Sequence, residues 1–177
     1  MPFLRAANLT AGFDFSRADI LCEASVGKAG TKISQTGDVA FTSKGTVGRF
    51  ARVGADTPRF VYSPQVCFWR SLNHDRLHPA VLHCWMQTEQ FLAQIRGAAG
   101  QTDMAPYVSL RDQRDMYLPL FPVDQSEIGE KLETLLSRKA LLFHQNQTLA
   151  SLRDTLLPKL ISGELRIGDA EKRIAAA

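Results

Sequence analysis

A seven-residue apolar repeat near the end of this 177-residue chain limits what it can fold into more than any other feature. Ile128, Leu135, Leu142, Leu149 and Leu156 recur at every seventh position of the stretch from Pro122 to Ile167. Residues so spaced stay on one side of a long helix, and the resulting apolar line faces a partner helix. The companion positions Leu132, Lys139, Asn146 and Arg153 are chemically mixed, so the seam specifies pairing more than it stabilises it. A polar Asn146 beside such a seam fixes register and orientation. Heptads also occur in ordinary bundles, which leaves a helix packed on its own domain as the plain alternative.

Local chemistry predicts the ends of this helix. Asp124 as N-cap, with Glu127 three residues on, has the form of a capping box just after Pro122. Pro158 lacks the amide that a continuing helix needs and is expected to end the regular run, with Ser162-Gly163 reversing the chain into Glu164–Ile167. Roughly 33 residues at about 1.5 Å each make a rod of about 50 Å.

The preceding residues read as short strands and helices, an α+β pattern. Strand character marks Pro2–Thr10, Val39–Phe41 after the Gly37-Asp38 turn, Phe50–Val53, Arg59–Arg70 with Pro64 at an edge or bulge, and Val108–Leu110 and Met116–Leu120. A helix is expected over Pro79–Arg96, closed by Gly97. Between two strands, Ser43 to Arg49 forms a loop in which Lys44 and Arg49 supply cations, Ser43 and Thr46 supply hydroxyls, and two glycines allow close backbone approach. It lacks the spacing of a Walker loop, and a tight surface hairpin explains its glycines equally well.

Charge sharpens this division. Lys28 to Arg76 holds eight Lys and Arg against three acids, a net of +5, whereas the chain from Val123 onward balances eight against eight. A basic first part and a neutral helical part suit a protein that meets phosphates with one and protein with the other. Other chemistries find little support. His74, His78, His83 and Cys84 lack zinc-ligand spacing, and the odd set Cys22, Cys67 and Cys84 reads as reduced, packed thiols. The acids are scattered, with Asp38 and Lys44 the nearest approach to a nuclease centre. Met104-Ala105-Pro106-Tyr107 lacks the leading Asn or Asp of an amino-methyltransferase element. Trp69 and Phe68 read as core. No apolar run approaches the roughly 18 residues of a membrane span and Met1–Thr10 lacks signal-peptide character, so no membrane contact and a cytoplasmic location are expected.

The run Leu152–Ile167, LRDTLLPKLISGELRI, resembles the long helical region of specificity subunits of type I restriction-modification systems. Lys32–Val53 resembles the glycine-containing segment of that family's target recognition domains, and the similarity extends over most of Met1–Ile167. The resemblance implies a target recognition domain of short twisted strands and helices over 1–121, a coiled-coil helix over 122–167 and a flexible tail over 168–177. Relative to the family, the domain's leading elements and a second recognition domain are expected to be missing.

By the same resemblance the chain is a non-catalytic subunit that reads double-stranded DNA, with no catalytic residues, metal or cofactor of its own. S-adenosylmethionine, ATP and Mg would belong to the modification and restriction subunits. Ser43, Lys44, Thr46 and Arg49 are the expected DNA contacts, with Arg5, Asn8, Lys32, Gln101 and Thr102 behind them. Leu157, Pro158, Lys159, Leu160 and Ile161 are expected to dock the methyltransferase subunit. An antiparallel homodimer through Ile128, Leu132, Leu135, Leu142, Asn146, Leu149 and Leu156 would restore two recognition domains. The rival readings are a coiled-coil adaptor without DNA recognition and a small DNA-processing enzyme.

Overall fold

The computed structural model describes residues 1–10, 12–44, 47–100, 107–118, 120 and 123–165. The protein is mixed α and β, with two small sheets and a long C-terminal helix, and divides into two compact units, Met1–Glu133 and Thr134–Ala177.

The first unit is built around β3 (Val39–Thr42), all four of whose residues are buried. Its residues Val39, Ala40 and Phe41 put apolar side chains on both faces, as a central strand between two cores requires, and Thr42 ends it with a hydroxyl that accepts the Arg49 amide. β4 (Phe50–Arg52) and β6 (Val66–Trp69) flank it, both antiparallel, with Val39 opposite Arg52 on one side and Trp69 on the other. Alternation sends Ala40 into a cluster with Leu4, Leu9, Phe60 and Tyr62, and sends Val39 and Phe41 into a second with Leu82, Met86, Phe91 and Val108. In a second three-stranded sheet, β1 (Pro2–Leu4) pairs antiparallel with β2 (Asp19–Ile20) and parallel with β5 (Val61–Tyr62).

Trp69 and Phe68 pack against the core as partly buried rings, as the sequence implies. Trp69 stacks on Trp85 at 6.3 Å and meets Phe91 edge-on at 5.4 Å, while Phe68 stacks on Tyr62 at 4.3 Å. Beside them lies a buried ion pair that the sequence does not announce. Asp38, wholly buried, accepts from Arg70 Nε at 2.6 Å and Nη2 at 2.8 Å, from the Tyr62 hydroxyl at 3.0 Å and from the Gln35 amide at 2.9 Å. Arg70 also lies over the Phe68 ring. Burial, reinforced by the Asp38 charge, pushes the Tyr62 phenol well above its ordinary value, and the hydrogen bonds to Asp38 push Arg70 up as well. The network ties the strand Tyr62 occupies in one sheet to the ends of β3 and β6 in the other. Removing one partner would leave an uncompensated charge inside the protein, at a cost of about 3–5 kcal/mol.

Several expected elements take a different form. Arg59–Arg70 is two strands in different sheets, with Pro64 in the turn where the Val66 amide donates to Ser63 O. Pro79–Arg96 is two helices, α2 (Pro79–Trp85) and α3 (Glu89–Ala99). They part because Thr88 adopts extended backbone at the head of α3 and turns its hydroxyl back to Trp85 O at 2.7 Å. Gly97 lies inside α3 rather than closing it. In place of a strand over Val108–Leu110, only Tyr107 bridges to Lys44, and α4 (Leu110–Arg114) follows, started by a reciprocal capping box between Ser109 and Asp112. Met116 to Leu118 form no strand. The expected strand Pro2–Thr10 stops at Leu4, and a 3₁₀ turn, Ala6–Asn8, follows. α1 is a short helix, Glu23–Gly27, just past Cys22, which is exposed rather than packed.

The long helix α5 runs Ser126–Ile161, 36 residues, or about 54 Å at 1.5 Å per residue. At its start Asp124 accepts from both the amide and the hydroxyl of Ser126, at 2.8 and 2.6 Å, and those bonds hold the Asp124 carboxyl below its ordinary pKa. Glu127 pairs with Lys131 one turn on instead of completing a capping box. Pro158 does not end the helix. It removes a single amide near the C-terminus, where the absence of one bond is tolerated, and Ser162 still donates to Pro158 O at 2.9 Å. The helix ends at Gly163, whose φ of 74° suits glycine at this position.

Candidate functional site

β3 and β4 form a hairpin, and the basic loop is its connection. The Thr42 amide donates to Arg49 O at 3.1 Å, and Gly48, at φ 90°, returns its amide to Thr42 O at 3.2 Å. Within this frame Ser43 is buried, so its hydroxyl is not presented at the surface, whereas Lys44 and Arg49 are exposed. Arg49 Nη1 donates to Leu9 O at 3.4 Å, which sets the hairpin beside the Ala6–Asn8 turn. There Asn8 is buried and accepts the Arg5 amide at 2.9 Å, a structural bond rather than a free polar group. Arg5 is exposed but pairs with Asp19 at 2.6 Å. Lys32, at the end of the 3₁₀ turn Gly30–Lys32, is exposed. Thr46, Gln101 and Thr102, Met104 to Pro106, Pro122 and the tail 168–177 lie outside the described residues.

The basic surplus of Lys28–Arg76 is only partly available to a ligand. Arg70 is bound to Asp38, and Arg52 donates to Glu133 at 2.5 Å with its side chain 9% exposed. Lys28, Lys32, Lys44, Arg49, Arg59 and Arg76 remain exposed. Asp38, the nearest approach to a catalytic acid in sequence, is held by four hydrogen bonds inside the protein. His78 likewise has a structural role: its Nδ1 accepts the Ala80 amide at 3.2 Å and so caps α2. Among the described residues no group of His, Cys, Asp and Glu could hold a metal ion. None of the described helices is long and apolar enough to cross a membrane.

The seam residues are solvent-facing. Ile128, Leu135, Leu142, Leu149 and Leu156 are 41–65% exposed, and Lys139, Asn146 and Arg153 beside them are exposed too, with Leu132 half-buried. Leu157, Pro158, Lys159, Leu160 and Ile161 are all exposed.

No protein-family model matches the chain, and no curated protein matches it significantly.

The first turns of α5 bury a different set. Gln125 is buried, its backbone N–H donating to Asp75 O at 3.0 Å and its side-chain oxygen accepting from the His78 backbone N–H at 3.4 Å. One turn later Gly129 lies against the His78 ring so closely that an added Cβ would overlap it. Glu133, a further turn on, accepts from Arg52. Sequence reasoning missed this four-residue spacing because its members are polar or lack a side chain. It also missed a second heptad line, Leu136, Phe143, Ala150 and Leu157, one position beyond the first and about 100° round the helix. That signal was present in the sequence, with Phe143 and Leu157 about half exposed in the structure.

Proposed function

We propose that the protein is a DNA-recognition subunit of a type I restriction-modification complex, directing adenine methylation and restriction that partner subunits carry out. The observation that carries this reading is the exposed heptad line on α5, on a helix whose C-terminal run resembles the helical region of specificity subunits. Five apolar side chains kept in water at regular spacing favour a partner helix, each worth about 1.5–3 kcal/mol when fully buried. The exposed Lys44 and Arg49 on a hairpin supply the electrostatic half of a DNA contact. The chain's own residues bind and position, and the methyl-transfer and cleavage chemistry lies with the modification and restriction subunits.

Two copies paired antiparallel about Leu142 would bury the exposed leucine line of each helix against the other. A two-fold assembly of this kind reads an inverted, bipartite site, with a rod of about 54 Å covering roughly 16 base pairs at about 3.4 Å each. Leu157 to Ile161 then remain for the methyltransferase subunit.

Salt-titrated binding of duplex DNA tests the reading. Replacing Lys44 and Arg49 together by Ala is expected to reduce the slope of log K against log salt by about two, one for each phosphate no longer neutralised. An unaltered slope in the double variant removes the hairpin from the DNA interface.

A further inference from the structure

Tyr107 carries the strongest chemistry that sequence reasoning left unassigned. It forms an antiparallel bridge with Lys44, although the two are far apart in the chain. Directly opposed residues of an antiparallel pair place their side chains on the same face, with Cβ atoms about 4.5–5.5 Å apart. The next residue in each segment faces the other way. Ser43 and Val108 are 3% and 1% exposed, and the Val108 amide donates to Ser43 O at 2.8 Å. Lys44 and Tyr107 are both exposed, the tyrosine at 44%. An ammonium and an amphipathic ring are thus held side by side on a base fixed by buried neighbours. Val108 joins the cluster around Phe41 and Phe91, so the position of the pair is set by the core of the first unit.

We propose that Lys44 and Tyr107 act as one duplex-DNA contact, the Tyr107 ring packing against a sugar and base edge beside the phosphate that Lys44 neutralises. This rests on the DNA-recognition reading above and adds to it a residue and a division of labour. A tyrosine suits the role because its ring brings large contact area with only two torsions to fix, and an adjacent cation supplies the phosphate attraction the ring lacks.

The two contributions separate in a salt titration of the full-length chain against a duplex DNA pool of randomised sequence. Tyr107→Ala is expected to weaken binding about tenfold at every salt concentration without changing the slope. Lys44→Ala is expected to lower the slope by about one. Tyr107→Phe, which keeps the ring, is expected to bind within about twofold of wild type and to match its circular dichroism and urea midpoint. Wild-type affinity in Tyr107→Ala alongside a reduced slope in Lys44→Ala overturns the pair but leaves DNA recognition standing. Failure of the wild-type chain to bind the pool in a salt-dependent way overturns both.

Discussion

The first turns of α5 and the remainder of the same helix differ in what they bury, although both leave the heptad line in water. Between Gln125 and Glu133 a glutamine, a glycine and a glutamate make the contacts with the rest of the first unit described above, Leu132 is half-buried, and Ile128 is 57% exposed. From Leu135 onward the helix carries leucine at every seventh position, again exposed. Burial in this helix therefore follows shape and hydrogen bonding where it meets the rest of its own unit, and the apolar heptad line is left in water, the surface on which the proposed pairing rests.

The largest expected effect breaks the anchored half. Gly129→Leu must displace the His78 ring and with it the cap of α2, and is expected to cost about 3 kcal/mol, read as a lower urea midpoint. An unchanged midpoint would mean that the close approach of α5 to His78 contributes nothing.

The free half responds in the other direction. Leu142→Glu is expected to leave the urea midpoint of the first unit where it was and to turn a dimer into a monomer in sedimentation at tens-of-micromolar concentration, because each leucine buried in the pair is worth about 1.5–3 kcal/mol. A wild-type chain that already sediments as a monomer would refute homodimerisation.

The smallest effect is a pH dependence at the anchor. Burial holds the His78 imidazole below its ordinary pKa; the neighbouring charges of His74 and Arg52 act in the same direction, and those of Glu133 and Glu130 oppose it. With the folded value depressed, the unfolded chain takes up the proton first. Stability is therefore full above about pH 6.5 and falls as pH drops through that value, levelling off below the folded pKa. Urea midpoints between about pH 7 and about pH 5 should decline in the wild type and decline less in His78→Asn, whose side-chain oxygen can still accept the Ala80 amide. The depressed carboxyls of Asp14, Asp112 and Asp124 act in a separate range, below about pH 4. Equal declines in the two proteins would assign the effect to other groups.

Features that depend on local period and backbone geometry were legible in the residues alone. The heptad required a long helix, the run Val39–Thr42 required a strand, and Gly37 and Gly48, at φ 92° and 90°, are glycines where the chain must turn. Each of these signals lies within a few residues, so neighbours alone can encode it. The tertiary structure decided what depends on partners far along the chain. Asp38 finds Arg70 at a separation of 32 residues, and Arg52 finds Glu133 at 81. Those two pairings take two of the eight cations of the basic stretch out of the surface. The same kind of distant pairing split Arg59–Arg70 between two sheets, turned Ser43 and Asn8 inward, and set Tyr107 beside Lys44. A single sequence supplies donors and acceptors without saying which will meet, because the energy that selects among them comes from packing the whole unit at once.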